Sequence, residues 1–159
     1  MRCFLSANFL VLGEVSFLVR LGKVQQQSQW QPFRWQVLEL APVESGIQAQ
    51  GDETVTQVTA RVFQDELQGY FLNLDTEQPY LFFCMRYPED NKNLRPEVFE
   101  ATFSYDEAAR WMDSNEEVQT LPLPGAVSSW LAELVQARYK PEPKQRKRPR
   151  SFVEPGKRH

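Results

Sequence analysis

The stretch VFEATFSYDEAARWM, Val98–Met112, contains the point at which the chain changes from strand to helix. Its first six residues alternate in polarity with the two-residue period of a β-strand. Ser104-x-x-Glu107 follows, a capping box in which the hydroxyl and the carboxylate satisfy free amide groups at a helix start. Beyond this box, three apolar residues share one face of a helix: Ala108, Trp111 and Met112. The sequence predicts a strand over Val98–Phe103 and a helix over Tyr105–Ser114.

Upstream, five further stretches are rich in β-forming residues and are bounded by polar or glycine-containing segments. The predicted strands are Val15–Leu21, Phe33–Leu40, Thr54–Phe63, Tyr70–Leu74 and Tyr80–Tyr87. The last of these, YLFFCMRY, is apolar almost throughout, which is typical of a central strand that is buried on both faces.

Downstream, a second helix is predicted over Gly125–Tyr139, after a rigid LPLPG connector. Pro124 suits the first turn because its missing amide hydrogen needs no partner there. Strands that precede helices, instead of alternating with them, favour an α+β fold with an antiparallel sheet. We expect about six strands in one sheet that curls toward a barrel, with both helices on one side or end. The pattern leaves open whether the sheet closes.

Charge is distributed unevenly along the chain, whose net charge is −3. Residues 140–159 hold eight basic and two acidic side chains, whereas the preceding 139 residues hold ten basic and nineteen acidic ones. A basic tail of +6 therefore follows an acidic body of −9. The tail also carries four prolines and little apolar surface, so we predict that it is disordered. The predicted organisation is an N-terminal extension (1–13), one domain (14–139) and the basic tail.

The N-terminus has three interpretations. Met1 and Arg2 precede about ten apolar residues, which suits a signal peptide, a first strand or an extension upstream of the domain. The run is far shorter than a membrane span and no A-x-A cleavage site follows it. The two cysteines, Cys3 and Cys84, do not suggest a disulfide framework. We therefore expect a cytoplasmic protein with reduced thiols.

Catalytic motifs are absent from the sequence. It has no glycine-rich phosphate-binding motif and no G-x-S-x-G, and its one histidine, His159, is the last residue. We therefore predict no catalytic residue, no metal and no cofactor. Cys84 is expected to be a buried, unreactive thiol. Three carboxylate pairs are expected to be solvated charges: Asp65-Glu66, Glu89-Asp90 and Glu116-Glu117.

Candidate partner-binding residues occur in two places. In WQPFRW, Trp35 is expected in the core, while Trp30, next to Arg34, is either an exposed binding residue or a core or cation–π residue. The tail supplies a basic cluster: Arg146, Lys147, Arg148 and Arg150. This cluster either contacts nucleic acid, docks on an acidic protein surface (including this protein's own body), or only solubilises the chain.

Several motifs occur in a characteristic order. They are FLVRLGKV, Trp30-Gln31-x-x-x-Trp35-x-Val37, Tyr70-x-Leu72-Asn73-Leu74, Pro79-x-Leu81-Phe82-Phe83, Tyr105-Asp106-Glu107-Ala108, Asp113-Ser114-x-Glu116-Glu117-Val118, Leu123-Pro124 and the Lys/Arg-rich end. Over residues 14–150 the chain resembles an uncharacterised family of small bacterial proteins. Their genes often lie beside those of molybdenum-dependent formate dehydrogenases and their maturation factors.

The resemblance implies a cytoplasmic accessory role around formate dehydrogenase, and it brings no catalytic residues. The first hypothesis is therefore a non-catalytic adaptor that binds a formate dehydrogenase subunit or maturation factor. The alternatives are a nucleic-acid-binding regulator that uses the basic tail, and an enzyme or small-ligand carrier with a pocket inside the sheet.

Overall fold

The structure, a computed structural model, describes residues 10–140. Expectations about residues 1–9 and about the tail beyond residue 140 lie outside the described residues. Within 10–140 the fold is α+β, as predicted, and it comprises two three-stranded antiparallel sheets and three α-helices.

The first sheet has the strand order β2-β1-β3. Its members are β1 (Val11–Gln25), β2 (Phe33–Pro42) and β3 (Thr54–Phe63). The expected strand at Val15–Leu21 is therefore longer, because β1 pairs with β2 as far as Gln25 and with β3 from Val11. The predicted domain start at residue 14 falls inside this strand.

The second sheet has the order β5-β4-β6, and the apolar strand is central, as predicted. Its members are β4 (Tyr80–Arg86), β5 (Glu97–Thr102) and β6 (Glu117–Pro122). The three helices are α1 (Leu67–Leu74), α2 (Tyr105–Asp113) and α3 (Gly125–Arg138). Short 3₁₀ turns lie at Val43–Ser45, Gln64–Glu66 and Pro88–Asp90.

The two sheets share one core. β3 lies beside β5, and β2 lies beside β6. Alternate residues of β1 are buried, namely Phe17, Val19 and Leu21. The same core contains large side chains from the rest of the fold: Phe83, Met85, Phe103 and Leu131. The expectation of one six-stranded sheet is wrong, because within residues 10–140 no strand ladder joins the two sheets. No closed barrel forms there, and side chains fill the space between the sheets.

The segment YFLNL forms most of α1, so the strand predicted at Tyr70–Leu74 is wrong. Four residues with helical spacing explain the difference: Leu67, Tyr70, Phe71 and Leu74. Buried Tyr70 ties the helix to the end of β3, because its hydroxyl accepts a hydrogen bond from Phe63 N at 2.8 Å. Buried Asn73 ties it to β4 and β5: its Nδ2 donates to the carbonyls of Tyr80 (2.7 Å) and Phe103 (2.9 Å).

Helix α2 begins where the capping box predicts, since Ser104 Oγ accepts a hydrogen bond from Glu107 N at 3.1 Å. At its other end, Asn115 has the left-handed backbone conformation (φ 62°). Its amide and that of Glu116 donate to the carbonyls of Met112 and Trp111, the pattern of a Schellman cap. This cap turns the chain into β6, a strand that was not predicted.

One predicted solvated carboxylate lies inside the protein. Glu66 is only 7% exposed, and it accepts hydrogen bonds from Ser104 Oγ (2.6 Å) and from Arg110. The expectation for Glu66 is therefore wrong, because the N-cap serine and an arginine of α2 together satisfy the buried charge. Glu89 and Asp90 are exposed, as expected.

Candidate functional site

The loop between β1 and β2, residues 26–32, is here called the Trp30 loop. Gln26 N donates to Pro32 O at 2.8 Å, which closes the base of the loop. Ser28 Oγ accepts a hydrogen bond from Trp30 N at 3.3 Å. Trp30 itself is 95% exposed. A backbone held by hydrogen bonds thus presents an indole that makes almost no contact with the rest of the described chain.

Arg34 lies on the exposed side of β2, where its Nη2 donates to Gln36 Oε1 at 3.0 Å. The two predicted binding residues therefore lie on different elements: Trp30 is on the loop, and Arg34 is on the strand that follows it. Arg34 lines a surface depression that also includes Gln31 of the Trp30 loop. The loop reaches this depression through Gln26 and Gln31, and Trp30 is not among the residues that line it.

Two adjoining depressions of about 470 and 410 Å³ form what we call the seam cleft, and the second of them lies where β2 is beside β6. Tyr87, Lys92 and Glu117 line both depressions, and Arg34 lines the second. The cleft is open to solvent and mainly polar. Such a surface suits hydrogen bonding with a partner better than enclosure of an apolar ligand.

Gln119, a residue of β6, connects the two sheets across the seam. Its Nε2 donates to Trp35 O at 2.9 Å, and its Oε1 accepts from Val37 N at 2.8 Å. The side-chain amide therefore pairs with main-chain groups of β2 much as a neighbouring strand would. The same Nε2 lies 3.2 Å from Glu117 Oε2, so the bridge forms one wall of the cleft.

Tyr87 donates its hydroxyl hydrogen to Glu117 Oε2, and Lys92 Nζ lies 3.9 Å from Glu117 Oε1. Burial of the phenol, together with the hydrogen bond to this carboxylate and its negative charge, raises the pKa of Tyr87 above its ordinary value. The hydroxyl is therefore a hydrogen-bond donor at neutral pH and not a general base.

Cys84 is buried in β4 with a free thiol, as predicted. Its Sγ donates to Glu116 Oε2 at 3.6 Å, and Arg86 Nη2 lies 3.1 Å from the other oxygen of Glu116. Burial, followed by the charge of Glu116, raises the pKa of Cys84 to about 11. Because the thiolate is the nucleophile, this thiol is unreactive at neutral pH.

Trp35 is 4% exposed, which confirms its predicted place in the core. Its Nε1 donates to Asn93 O at 3.4 Å. Two cations lie over its ring, Lys23 Nζ at 5.3 Å and Arg95 Cζ at 5.2 Å from the centroid. Cation–π packing, one of the interpretations considered for Trp30, is thus a property of Trp35.

The remaining predicted site residues, Arg146, Lys147, Arg148 and Arg150, lie outside the described residues. Sequence reasoning missed Tyr87, Glu117 and Gln119. The missed strand β6 explains two of these, since without it Glu117 and Gln119 have no assigned face. The sequence signal that favours a strand there is the pair of β-branched residues Val118 and Thr120, which share one face of EVQTLP.

Residues 10–140 contain neither a metal-binding cluster nor a helix that could span a membrane. Within this part of the chain, His, Cys, Asp and Glu side chains form no group of three or more that would hold a metal ion. None of its helices has the length and apolar character needed to cross a membrane; the 14-residue α3 is an example.

Comparison with known protein families gives a match over most of the chain. The family described as "Protein of unknown function (DUF3305)" matches residues 16–148, more than four fifths of the chain. No curated protein and no solved structure matches. The matched span agrees with the order of motifs noted in the sequence, and the prediction of an uncharacterised family is confirmed. The chain belongs to the DUF3305 family of proteins of unknown function.

Proposed function

We propose that this protein is a non-catalytic adaptor that binds another protein through the Trp30 loop. The observation that carries the proposal is the 95% exposure of Trp30 on a backbone held by hydrogen bonds. Tryptophan is enriched among the few residues that dominate interface energies. Burial of one indole removes on the order of 200 Å² from water, about 5 kcal/mol of gross transfer free energy.

The seam cleft supports this proposal because it supplies a polar border beside the apolar anchor. Arg34 offers a planar guanidinium that forms paired hydrogen bonds with carboxylates, and Lys92 adds a second cation. An apolar anchor with a polar rim is the usual anatomy of a transient protein interface. The cleft also holds the carboxylates Asp90, Glu116 and Glu117, so its chemistry suits a partner that presents side chains of both charges around an apolar pocket for Trp30.

The chemistry of the described residues also favours binding over catalysis. Burial and neighbouring carboxylates keep the two candidate nucleophiles near the cleft, Tyr87 and Cys84, protonated at neutral pH. The space between the two sheets is filled by the core side chains. A small-ligand carrier with a pocket inside the sheet therefore gains no support from the core.

The partner that we propose is a formate dehydrogenase subunit or one of its maturation factors. The support comes from the resemblance to a family encoded beside these genes. The basic residues Arg146, Lys147, Arg148 and Arg150 would form a second, electrostatic contact with the same partner.

The test is an affinity pull-down from the native organism grown with formate and molybdate, read by mass spectrometry. Four forms are compared: the full chain, Trp30→Ala, Met112→Ala and a chain that ends at residue 139. Met112 is the matched control, because it is an apolar residue on α2 that is 52% exposed and far from the loop in sequence. We expect the full chain and Met112→Ala to enrich a formate dehydrogenase subunit or maturation factor.

Trp30→Ala should reduce that enrichment at least tenfold. The chain that ends at residue 139 should also show reduced enrichment, with the largest loss at low salt, where charges are least screened. Equal enrichment by Trp30→Ala and the full chain would reject the loop as the anchor. Recovery of nucleic acid alone, with binding that weakens steeply as salt rises, would instead support the regulator hypothesis.

A further inference from the structure

A second candidate surface lies between α1 and α3, a groove of about 390 Å³ that we call the helical groove. Its walls are mainly apolar, with Phe71, Leu74 and Pro79 on one side and Ala132 and Val135 on the other. Its volume falls within the range of concave ligand sites on proteins. The groove lies on different elements from the Trp30 loop and the seam cleft.

The chain leaves α3 at the edge of this groove. Tyr139 N donates to Val135 O at 2.7 Å, and the Tyr139 ring lies 5.2 Å from the ring of Phe71. Both contacted residues line the groove. Whatever follows Lys140 therefore starts beside the groove.

The sequence that follows carries one aliphatic or aromatic pair. Residues 141–159 read PEPKQRKRPRSFVEPGKRH, in which Phe152 and Val153 stand among charged residues and prolines. Phe152 lies twelve positions after Lys140, and an extended chain of that length spans roughly 40 Å. The pair can therefore return to any part of the groove.

The charges near the groove are opposite to those of the C-terminal segment. Asp75 lines the groove, and Glu77, two residues further on, is exposed. The four basic residues between Arg146 and Arg150 precede the apolar pair. Because exposed ion pairs contribute little each, the charges would orient the segment while the aromatic ring supplies most of the affinity.

We propose that Phe152 and Val153 of this chain's own C-terminal segment dock in the helical groove, with the preceding basic residues over Asp75. A segment on the same chain is present at an effective concentration on the order of millimolar, so a weak contact is enough to populate the docked state. Docking would hold the basic residues against the body, so a partner that contacts these residues would first have to displace the segment from the groove. The proposal does not depend on the Trp30 loop.

The test uses the full chain with labelled methyl groups in NMR spectra. We expect nuclear Overhauser contacts between the Phe152 ring and the methyls of Leu74, Ala132 or Val135. Phe152→Ala should abolish these contacts and shift the same methyl signals, while Ser151→Ala, the matched control in the tail, should leave them unchanged. Both substitutions lie outside residues 10–140, which hold the described core, so both variants should fold.

The signals should also be independent of protein concentration. Shifts that change on dilution would assign the groove to a second copy and overturn docking within one chain. Groove methyl signals that are identical in the full chain and in Phe152→Ala would overturn the proposal outright. Neither outcome would bear on the pull-down with Trp30→Ala, so the two proposals fail separately.

Discussion

Gln119 Nε2 and the carbonyl oxygen of Trp35 are 2.9 Å apart, and this contact joins two sheets that share no ladder. The same side chain accepts a hydrogen bond from Val37 N at 2.8 Å. β2 is an edge strand, so its outward main-chain groups have no neighbouring strand to pair with. One amide side chain thus satisfies a donor and an acceptor that would otherwise remain part-buried without partners.

Replacement of this bridge should destabilise the fold. Gln119→Ala removes both hydrogen bonds and leaves the Val37 amide and the Trp35 carbonyl to find water in a part-buried seam. We expect a loss of about 2 kcal/mol in the free energy of unfolding, measured by urea denaturation. Gln57→Ala, an exposed glutamine on β3, should change it by less than about 0.5 kcal/mol.

Gln119→Glu tests the donor separately. The carboxylate still accepts from Val37 N but cannot donate to Trp35 O, and it places a second negative charge beside Glu117. This variant should also lose stability at neutral pH, whereas stability equal to that of the unmodified chain would contradict the bridge.

Gly69 of α1 lies against the N-terminal end of α2. A Cβ at this position would lie 2.0 Å from Ser104 Oγ, and that oxygen both caps α2 and donates to Glu66. Relief of the clash would therefore break the cap. Gly69→Ala should lower the free energy of unfolding by about 3 kcal/mol or more, measured by thermal or chemical denaturation.

Gly125→Ala is the matched control for this prediction. A Cβ at Gly125, in the first turn of α3, would meet nothing within 4 Å. Because alanine restricts the unfolded chain, this change should be neutral or should stabilise the fold by up to about 1 kcal/mol. Similar losses in the two variants would reject the proposed clash.

Local signals in the sequence predicted much of the fold correctly. The capping box located α2, and Pro124 located the start of α3, because both signals act within a few residues. The segment YFLNL was assigned to a strand because aromatic and branched residues favour strands in short windows, although the spacing from Leu67 to Leu74 is helical. Tertiary hydrogen bonds at Asn73 then secure the helix.

Features set by distant contacts were not predicted. Two sheets cannot be distinguished from one by strand patterns, because the distinction depends on which edges pair. The cleft depends on β6. Burial in this strand scarcely differs from one residue to the next, so it lacks the clear two-residue pattern of a half-buried strand. The sequence did not decide whether Trp30 is exposed, because that depends on what the loop packs against. Trp35 lies on the buried face of an alternating strand and was correctly assigned to the core.

Alkaline pH should weaken the fold through Cys84. Its pKa in the folded protein is about 11, against an ordinary value of 9.0, because the thiol is buried beside Glu116. Between these two pH values the unfolded chain releases this proton while the folded chain retains it. The stabilisation is therefore fully present below pH 9 and is lost as the pH rises toward 11.

The measurement is the free energy of unfolding of the intact protein and of Cys84→Ala between pH 8 and pH 11. The intact protein should lose more stability over this range, by at most about 3 kcal/mol for a shift of two units. Tyr87, whose pKa is raised in both proteins, contributes equally to the two profiles. Parallel profiles would show that the thiol titrates normally in the folded protein.

The two tryptophans of WQPFRW should respond in opposite ways to truncation. Trp35→Ala removes a buried ring that packs against Lys23 and Arg95. It should lower the free energy of unfolding by about 3–5 kcal/mol, measured by urea denaturation. Trp30→Ala removes a ring that is 95% exposed and should change stability by less than about 0.5 kcal/mol.

This contrast is also the control for the adaptor proposal. If Trp30→Ala is as stable as the unmodified chain, a loss of partner binding in that variant reports on the interface and not on unfolding. A cost above about 1 kcal/mol would mean that the indole is packed against another part of the chain in solution. The exposure that carries the proposal would then be absent, and the anchor would have to be sought elsewhere on the surface.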